Sequence, residues 1–188
     1  MYNKHFHVKR QNQPYYKIMA DTIIKLQKYS RTEFNSVLDI GCSCGVLLAE
    51  LPIKTKAGID FGKAGQFFPK EAGTFIEHDF ETGHKQLDEK YDLIICMEVI
   101  EHVEQIYEQN LFRTILYNSN PTATLVFSGA HEGQRGRNHV NCRNSDYWLK
   151  QINSLNYFKY SSIMTNHYIA SCGSKIPRCY LENTMIFK

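Results

Sequence analysis

The stretch SVLDIGCSCGVLLAEL, Ser36–Leu51, constrains the fold of this chain more than any other. A short apolar run carrying Asp39 enters a turn that contains Gly41 and Gly45, and a leucine-rich segment that reads as a helix follows. Glycines let backbone approach a ligand that a Cβ would push away. The helix start beyond them offers N–H groups that have no partner within the helix. Strand, glycine turn and helix in that order begin a βαβ unit with a crevice at the carboxyl edge of its sheet. Asp60 ends the next apolar run, KAGID, 21 residues after Asp39, where an acidic side chain can take both hydroxyls of a ribose. Asp79 follows a third run, TFIE, in a place to accept from an adenine amino group. The turn lacks GxGxxG and follows an aspartate, which favours an adenosyl ligand over a dinucleotide.

The pattern continues beyond these elements. Tyr16, Met19, Ile23 and Leu26 step by three and four, predicting a helix after Pro14 with one apolar face. YDLIICM, Tyr91–Met97, is apolar on both faces, as a central parallel strand should be. A helix from about Val103 to Leu116 and a strand TATLVFS, Thr122–Ser128, come next. Alternation of this kind predicts an α/β fold with a parallel sheet. SDYWLKQINSL reads as a helix capped by Ser145, and YFKYSSIM and YLENTMIF as two consecutive strands forming an antiparallel hairpin. Residues 1–13 read as a flexible N-terminal arm, a candidate lid, and residues 14–188 as one domain.

Composition excludes more than it selects. A net charge of +3 over 188 residues is too small to argue for nucleic acid or an anionic membrane surface. No apolar run nears the roughly 20 residues that span a bilayer. The polar, basic N-terminus lacks the apolar core of a secretory signal, so the expected compartment is the cytoplasm. Cys42, Cys44, Cys96, Cys142, Cys172 and Cys179 form no CxxC and read as free thiols.

VLDIGCSCG resembles the first motif of the class I, Rossmann-like, S-adenosylmethionine-dependent methyltransferases. GID resembles their ribose-binding strand end, HDF (His78–Phe80) their adenine-binding segment, and YDLIICMEVIEH their fourth-strand motif. The resemblance covers about residues 15–188. It implies a three-layer sandwich around a seven-stranded, mostly parallel sheet with a C-terminal antiparallel hairpin. It also implies S-adenosyl-L-methionine as cofactor, bound by Asp39, Gly41, Cys42, Gly45, Asp60, Phe61, Asp79, Phe80 and Met97. Ser43 stands where the family has its middle glycine, which predicts a slightly altered turn that still binds.

The acceptor side is less determined. Glu98, Glu101 and His102 follow the fourth strand, at the edge where ligands of parallel sheets collect. In one reading Glu98 lines the cofactor pocket while Glu101 and His102 cap the next helix. In the other, Glu98, Glu101, His102 and the later His139 hold Mg²⁺ or Mn²⁺. ExxEH with a later histidine resembles the metal site of small-RNA 2′-O-methyltransferases, and similar segments occur in quinone-biosynthesis O-methyltransferases. The loop and helix start from His131 to Trp148 resemble a segment of small methyltransferases encoded among surface-glycan assembly genes, including those of large viruses. For a virus-encoded member the compartment would be the host cytoplasm. His131, directly after the fifth strand, is a candidate general base or a solvated loop residue. Asn138, His139 and Asn141 are candidates for acceptor hydroxyls, and Tyr147 and Trp148 for stacking on a sugar, with Trp148 equally placed for the core. Arg135, Arg137 and Arg143 either meet a phosphate or are solvated.

These signals predict an O-methyltransferase for a sugar hydroxyl of a glycan, with His131, Glu98, His102 and His139 as catalytic candidates and glycosyltransferases as candidate partners. RNA 2′-O-methylation, phenolic O-methylation and a non-catalytic cofactor-binding subunit are the alternatives.

Overall fold

The computed structural model describes residues 9, 10 and 12–188. The remainder of the arm expected over 1–13, and with it the lid, lies outside the described residues. Six strands form one sheet: β1 (Ser36–Ile40), β2 (Thr55–Asp60), β3 (Thr74–Glu77), β4 (Tyr91–Met97), β5 (Ser119–Ser128) and β6 (Thr184–Phe187). Their spatial order is β3-β2-β1-β4-β5-β6. The first five run parallel, and β6 is antiparallel to β5. The order reverses between β1 and β4, which opens a crevice beyond their carboxyl ends.

Strand residues alternate between two apolar layers, so the sheet is buried on both faces. Val37, Leu93, Ile95, Val126 and Ile186 face α1 (Tyr15–Lys25), α3 (Val46–Glu50) and the later helix α6 (Ser162–Cys172). Leu38, Ile94, Cys96, Leu125 and Phe127 face α4 (Glu108–Tyr117) and α5 (Ser145–Ser154). Two short helices, α2 (Gln27–Ser30) and α7 (Cys179–Glu182), complete the set. The α/β three-layer sandwich is as expected.

The strand count differs from the expected seven. The segment expected as the first strand of the hairpin keeps only backbone bonds of Lys159 and Ser161 with Lys188 and Ile186, around one bridge between Tyr160 and Phe187. Ser161 then caps α6 by accepting from the Met164 N–H, and Met164, Thr165, Tyr168 and Cys172 become its buried stripe. A helical period beginning inside an apolar, β-branched stretch was hidden by composition.

Two helix starts also shift. Asn144, not Ser145, caps α5, its side chain accepting from the Tyr147 N–H at 2.9 Å. The helix expected from Val103 begins at Glu108, after two 3₁₀ turns at Ile100–His102 and Gln105–Tyr107. The Glu101 carbonyl accepts from the Val140 and Asn141 N–H groups of the loop after β5.

Candidate active site

The β1–β2 register pairs Asp39 with Gly58 and Ile40 with Ile59, which brings the glycine turn and Asp60 to the same sheet edge. Gly41 turns the chain at φ 77°, and a Cβ there would lie 2.2 Å from Val99 Cγ2, so a side chain would push the β4 exit off the turn. Ser43 holds φ 51°, keeping the left-handed conformation despite its Cβ. Its N–H donates to Asp60 Oδ2 at 2.6 Å, and the Phe61 N–H donates to Asp60 Oδ1 at 2.6 Å. A carboxylate oxygen accepts more than once, so Asp60 can brace the turn and still receive a ligand's hydroxyls. Asp79 accepts from the Glu81 N–H through Oδ1.

Gly41, Asp60, Phe61, Asp79 and Phe80 line a cavity of about 480 Å³ together with Glu98, Glu101, His102, Asn138 and His139. That volume falls in the ordinary range for small-molecule sites, about 300–1,000 Å³. A smaller hollow of about 30 Å³ lies under the turn, lined by Asp39, Cys42 and Met97 together with Arg10 and Tyr180. Gly45 lines neither; it caps α3 at φ 69°. Asp39 is buried, and burial with the neighbouring Asp60 carboxylate pushes its carboxyl up to about 8 against the pull of Arg10.

Arg10 went unnoticed in the sequence because it sits in a polar arm with no pattern. In the fold its Nε donates to Tyr16 Oη and its Nη2 to Tyr180 Oη, each at 2.7 Å. Both cavities therefore have a guanidinium in their wall.

In the wall of the larger cavity, Glu101, His102 and His139 each offer a ligand atom within 4.8 Å of the others. Glu101 is fully buried, and neither of its carboxylate oxygens has a hydrogen-bond partner among the described residues. Burial and the Glu98 carboxylate raise its carboxyl above the usual range. Burial is also what lowers His102, so its imidazole is neutral at pH 7. His102 Nδ1 lies 3.1 Å from the Asn138 carbonyl and His139 Nδ1 lies 3.2 Å from the Gln134 carbonyl. A carbonyl only accepts, so each ring donates to its carbonyl from a protonated Nδ1.

Glu98 lies outside that trio. It adopts φ 56°, an uncommon conformation for a residue with a side chain. Its Oε1 accepts from Ser128 Oγ at 2.9 Å and Asn183 Nδ2 at 3.0 Å, and its Oε2 from Gln134 Nε2 at 3.3 Å. Gln134 and Asn183 are thus further members of the site that only the fold brings in.

The other candidates are dispersed. His131 is exposed beside the Glu132 carbonyl and does not line the cavity. Asn141 is buried with Nδ2 on Glu108 Oε2, and Tyr147 Oη donates to Glu108 Oε1 at 2.7 Å. Trp148 is 1% exposed and packs on Phe127, a core residue. Arg143 donates to Gln105 and lies over the Tyr147 ring, while Arg135 and Arg137 are exposed. All six cysteines are free thiols.

The model of the methyltransferase-domain family matches residues 9–173. The chain belongs to this family. It carries a methyltransferase domain, and the cavity lined by Asp60 and Glu101 lies where such a fold collects its ligands. The chain is 34% identical over 76 residues to the ubiquinone biosynthesis O-methyltransferase of Pseudomonas savastanoi pv. phaseolicola, covering 36% of this chain and 33% of that one. To the enzyme of the same name from Escherichia coli O7:K1 it is 26% identical over 130 residues, 64% of this chain and 49% of that one. The chain thus spans about a third to a half of the length of these curated relatives. Among solved structures, the plantazolicin methyltransferase BpumL, in complex with SAH, superposes with TM-score 0.66 at 15% identity, covering 97% of this chain and 87% of that one. The sugar N-methyltransferase KedS8 from Streptoalloteichus sp. superposes with TM-score 0.61 at 17% identity, covering 74% and 59%. At these identities the structural likeness speaks for the fold. Among the described residues, no helix is long and apolar enough to cross a membrane.

Proposed function

We propose that this methyltransferase moves the methyl group of S-adenosylmethionine to a sugar hydroxyl, in a glycan or a nucleotide-activated sugar. One observation carries the reading: the fully buried Glu101 carboxyl, without a hydrogen-bond partner among the described residues, gathers with two imidazoles in the wall of the cavity that Asp60 and Asp79 also line. A carboxyl group, imidazoles and an amide in one cavity wall suit an acceptor rich in hydroxyl groups.

At the cofactor end, Asp60 accepts from the ribose hydroxyls and Asp79 from the adenine amino group. Arg10 matches the carboxylate of the methionine portion, and Asp39, which ionises beside a cation, matches its ammonium. S-adenosylmethionine supplies an electrophilic methyl group, and these residues hold it toward the acceptor end. Alignment of oxygen, methyl carbon and sulfur supplies up to roughly 7–11 kcal/mol of the acceleration.

The trio also fits a divalent cation. An unpartnered buried carboxyl group and two imidazoles, each anchored through Nδ1 to a carbonyl, are the donor set and outer support such an ion requires. Mg²⁺ or Mn²⁺ there would lower the pKa of a bound hydroxyl, with the imidazoles favouring Mn²⁺. Without an ion, the unprotonated nitrogen of either histidine is the proton acceptor.

The names of the curated relatives favour a second reading, a phenolic acceptor. A methyl-transfer screen over sugars, glycans, catechols and short RNAs, with Mn²⁺ or with EDTA, separates the readings. Labelling of a sugar is the expected result. Labelling of a catechol alone, or of RNA alone, would overturn the sugar assignment. Full turnover in EDTA would remove the cation and leave the histidines as bases.

A further inference from the structure

The loop from Gly129 to Asn144 brings His139 to the cavity, and within its exposed stretch the Gln134 side chain ties it to Glu98 and Asn183. Gln134 Nε2 donates to Glu98 Oε2 at 3.3 Å, and Gln134 Oε1 accepts from Asn183 Nδ2 at 2.9 Å. The same Asn183 group donates to Glu98 Oε1, so Glu98, Asn183 and Gln134 close a three-membered ring of hydrogen bonds. The Gln134 backbone carbonyl then accepts from His139 Nδ1 at 3.2 Å. One residue therefore ties the exit of β4 and the entry of β6 to the histidine on the loop. We infer that Gln134 is a positioning residue, which holds the His139 proton on Nδ1 and keeps the ring facing Glu101 and His102.

Cys142 Sγ lies 3.5 Å from the same His139 nitrogen and is the competing partner. Sulfur is a weak donor and acceptor, so the carbonyl prevails while Gln134 is anchored. Gly136 backs the other side of the ring: a Cβ on it would lie 1.9 Å from His139 Nε2. The ring is thus clasped between the Gln134 carbonyl and the Gly136 backbone. Between His131 and Val140 the chain is exposed except at Gln134 and His139, so the Gln134 side chain is its inward anchor. Loss of that side chain leaves the carbonyl present but no longer held in register with His139.

The consequence for turnover rests on the acceptor end proposed above; the position of the proton does not. The test is the ¹⁵N–¹H imidazole correlation spectrum of the full chain, free of metal and acceptor. Wild type is expected to show His139 protonated on Nδ1. Gln134→Ala is expected to lose that preference, with SAH affinity and melting temperature held near wild type and kcat lowered about 10–100-fold, the usual cost of losing support behind a site histidine. Asn183→Ala, which breaks the same ring from the other side, is expected to shift the same resonance. Gly136→Ala displaces the ring without touching the anchor and is expected to shift the resonance while Gln134 is intact. A wild-type His139 protonated on Nε2, or a Gln134→Ala spectrum unchanged at His139, would overturn the inference. A shifted spectrum with no methylation of any sugar would sink the acceptor reading and leave the positioning role standing.

Discussion

Asp60 shows how one side chain can serve both the turn and the ligand. It receives the Ser43 and Phe61 N–H groups and also lines the cavity. A hydrogen bond to a charged group contributes about 1.5–3 kcal/mol. Asp60→Ala should therefore weaken SAH binding by roughly tenfold to a hundredfold in a calorimetric titration; unchanged affinity would remove the ribose assignment. Asp39 leads to a different experiment. Its folded carboxyl, pushed up to about 8, holds its proton at pH 7, whereas the unfolded chain's ordinary carboxyl does not. That difference costs stability progressively as pH rises from about 4 to about 8. An ammonium brought beside it favours the carboxylate, so cofactor binding at pH 7 should release a proton. Binding enthalpies measured in buffers of different ionisation heat should reveal that release, and Asp39→Asn should abolish it. His131→Ala should leave turnover close to wild type, because the ring is exposed outside the cavity lining; a large loss of kcat would restore it as the base.

Among the elements, the most informative disagreement with the sequence is at Ser161. A run of aromatic and β-branched residues reads as strand, yet Ser161 starts a helix whose buried positions are Met164, Thr165, Tyr168 and Cys172. Ser161→Ala should cost about 1 kcal/mol in urea unfolding, the usual value of a lost helix cap. No change would mean that α6 is held by packing alone. The strands were legible because their apolar runs are short and bounded, and β1, β3 and β4 begin and end where those runs do. The start of α4 was not legible. Two 3₁₀ turns precede it, and beside them the Val140 and Asn141 N–H groups reach the Glu101 carbonyl from about 40 residues away, a contact that no local pattern encodes.

On the scale of the whole molecule, one cavity joins the two halves of the site, so ligands of either half can be counted by their effect on unfolding. SAH at 100 times its Kd should stabilise by about 2.7 kcal/mol. For a chain of this length that is a rise of roughly 5–10 °C in Tm. Mn²⁺ should add a separate increment that Glu101→Gln removes. No rise with SAH would contradict binding of the cofactor. The sequence by itself determined the parallel strands of the sheet, the turn from Gly41 to Gly45 and the two acidic residues at strand exits, Asp60 and Asp79. Those features arise from short-range periodicity and glycine stereochemistry, which a chain displays before it folds. Tertiary structure alone decided the rest. It brought Arg10 and Tyr180 together across 170 residues, drew Gln134 and Asn183 onto Glu98, gathered Glu101 with His102 and His139, and left His131 outside. The physical reason is burial. Whether a carboxylate is solvated, paired or stranded against two imidazoles depends on what the sheet and loop enclose around it, and residue spacing along the chain does not carry that information.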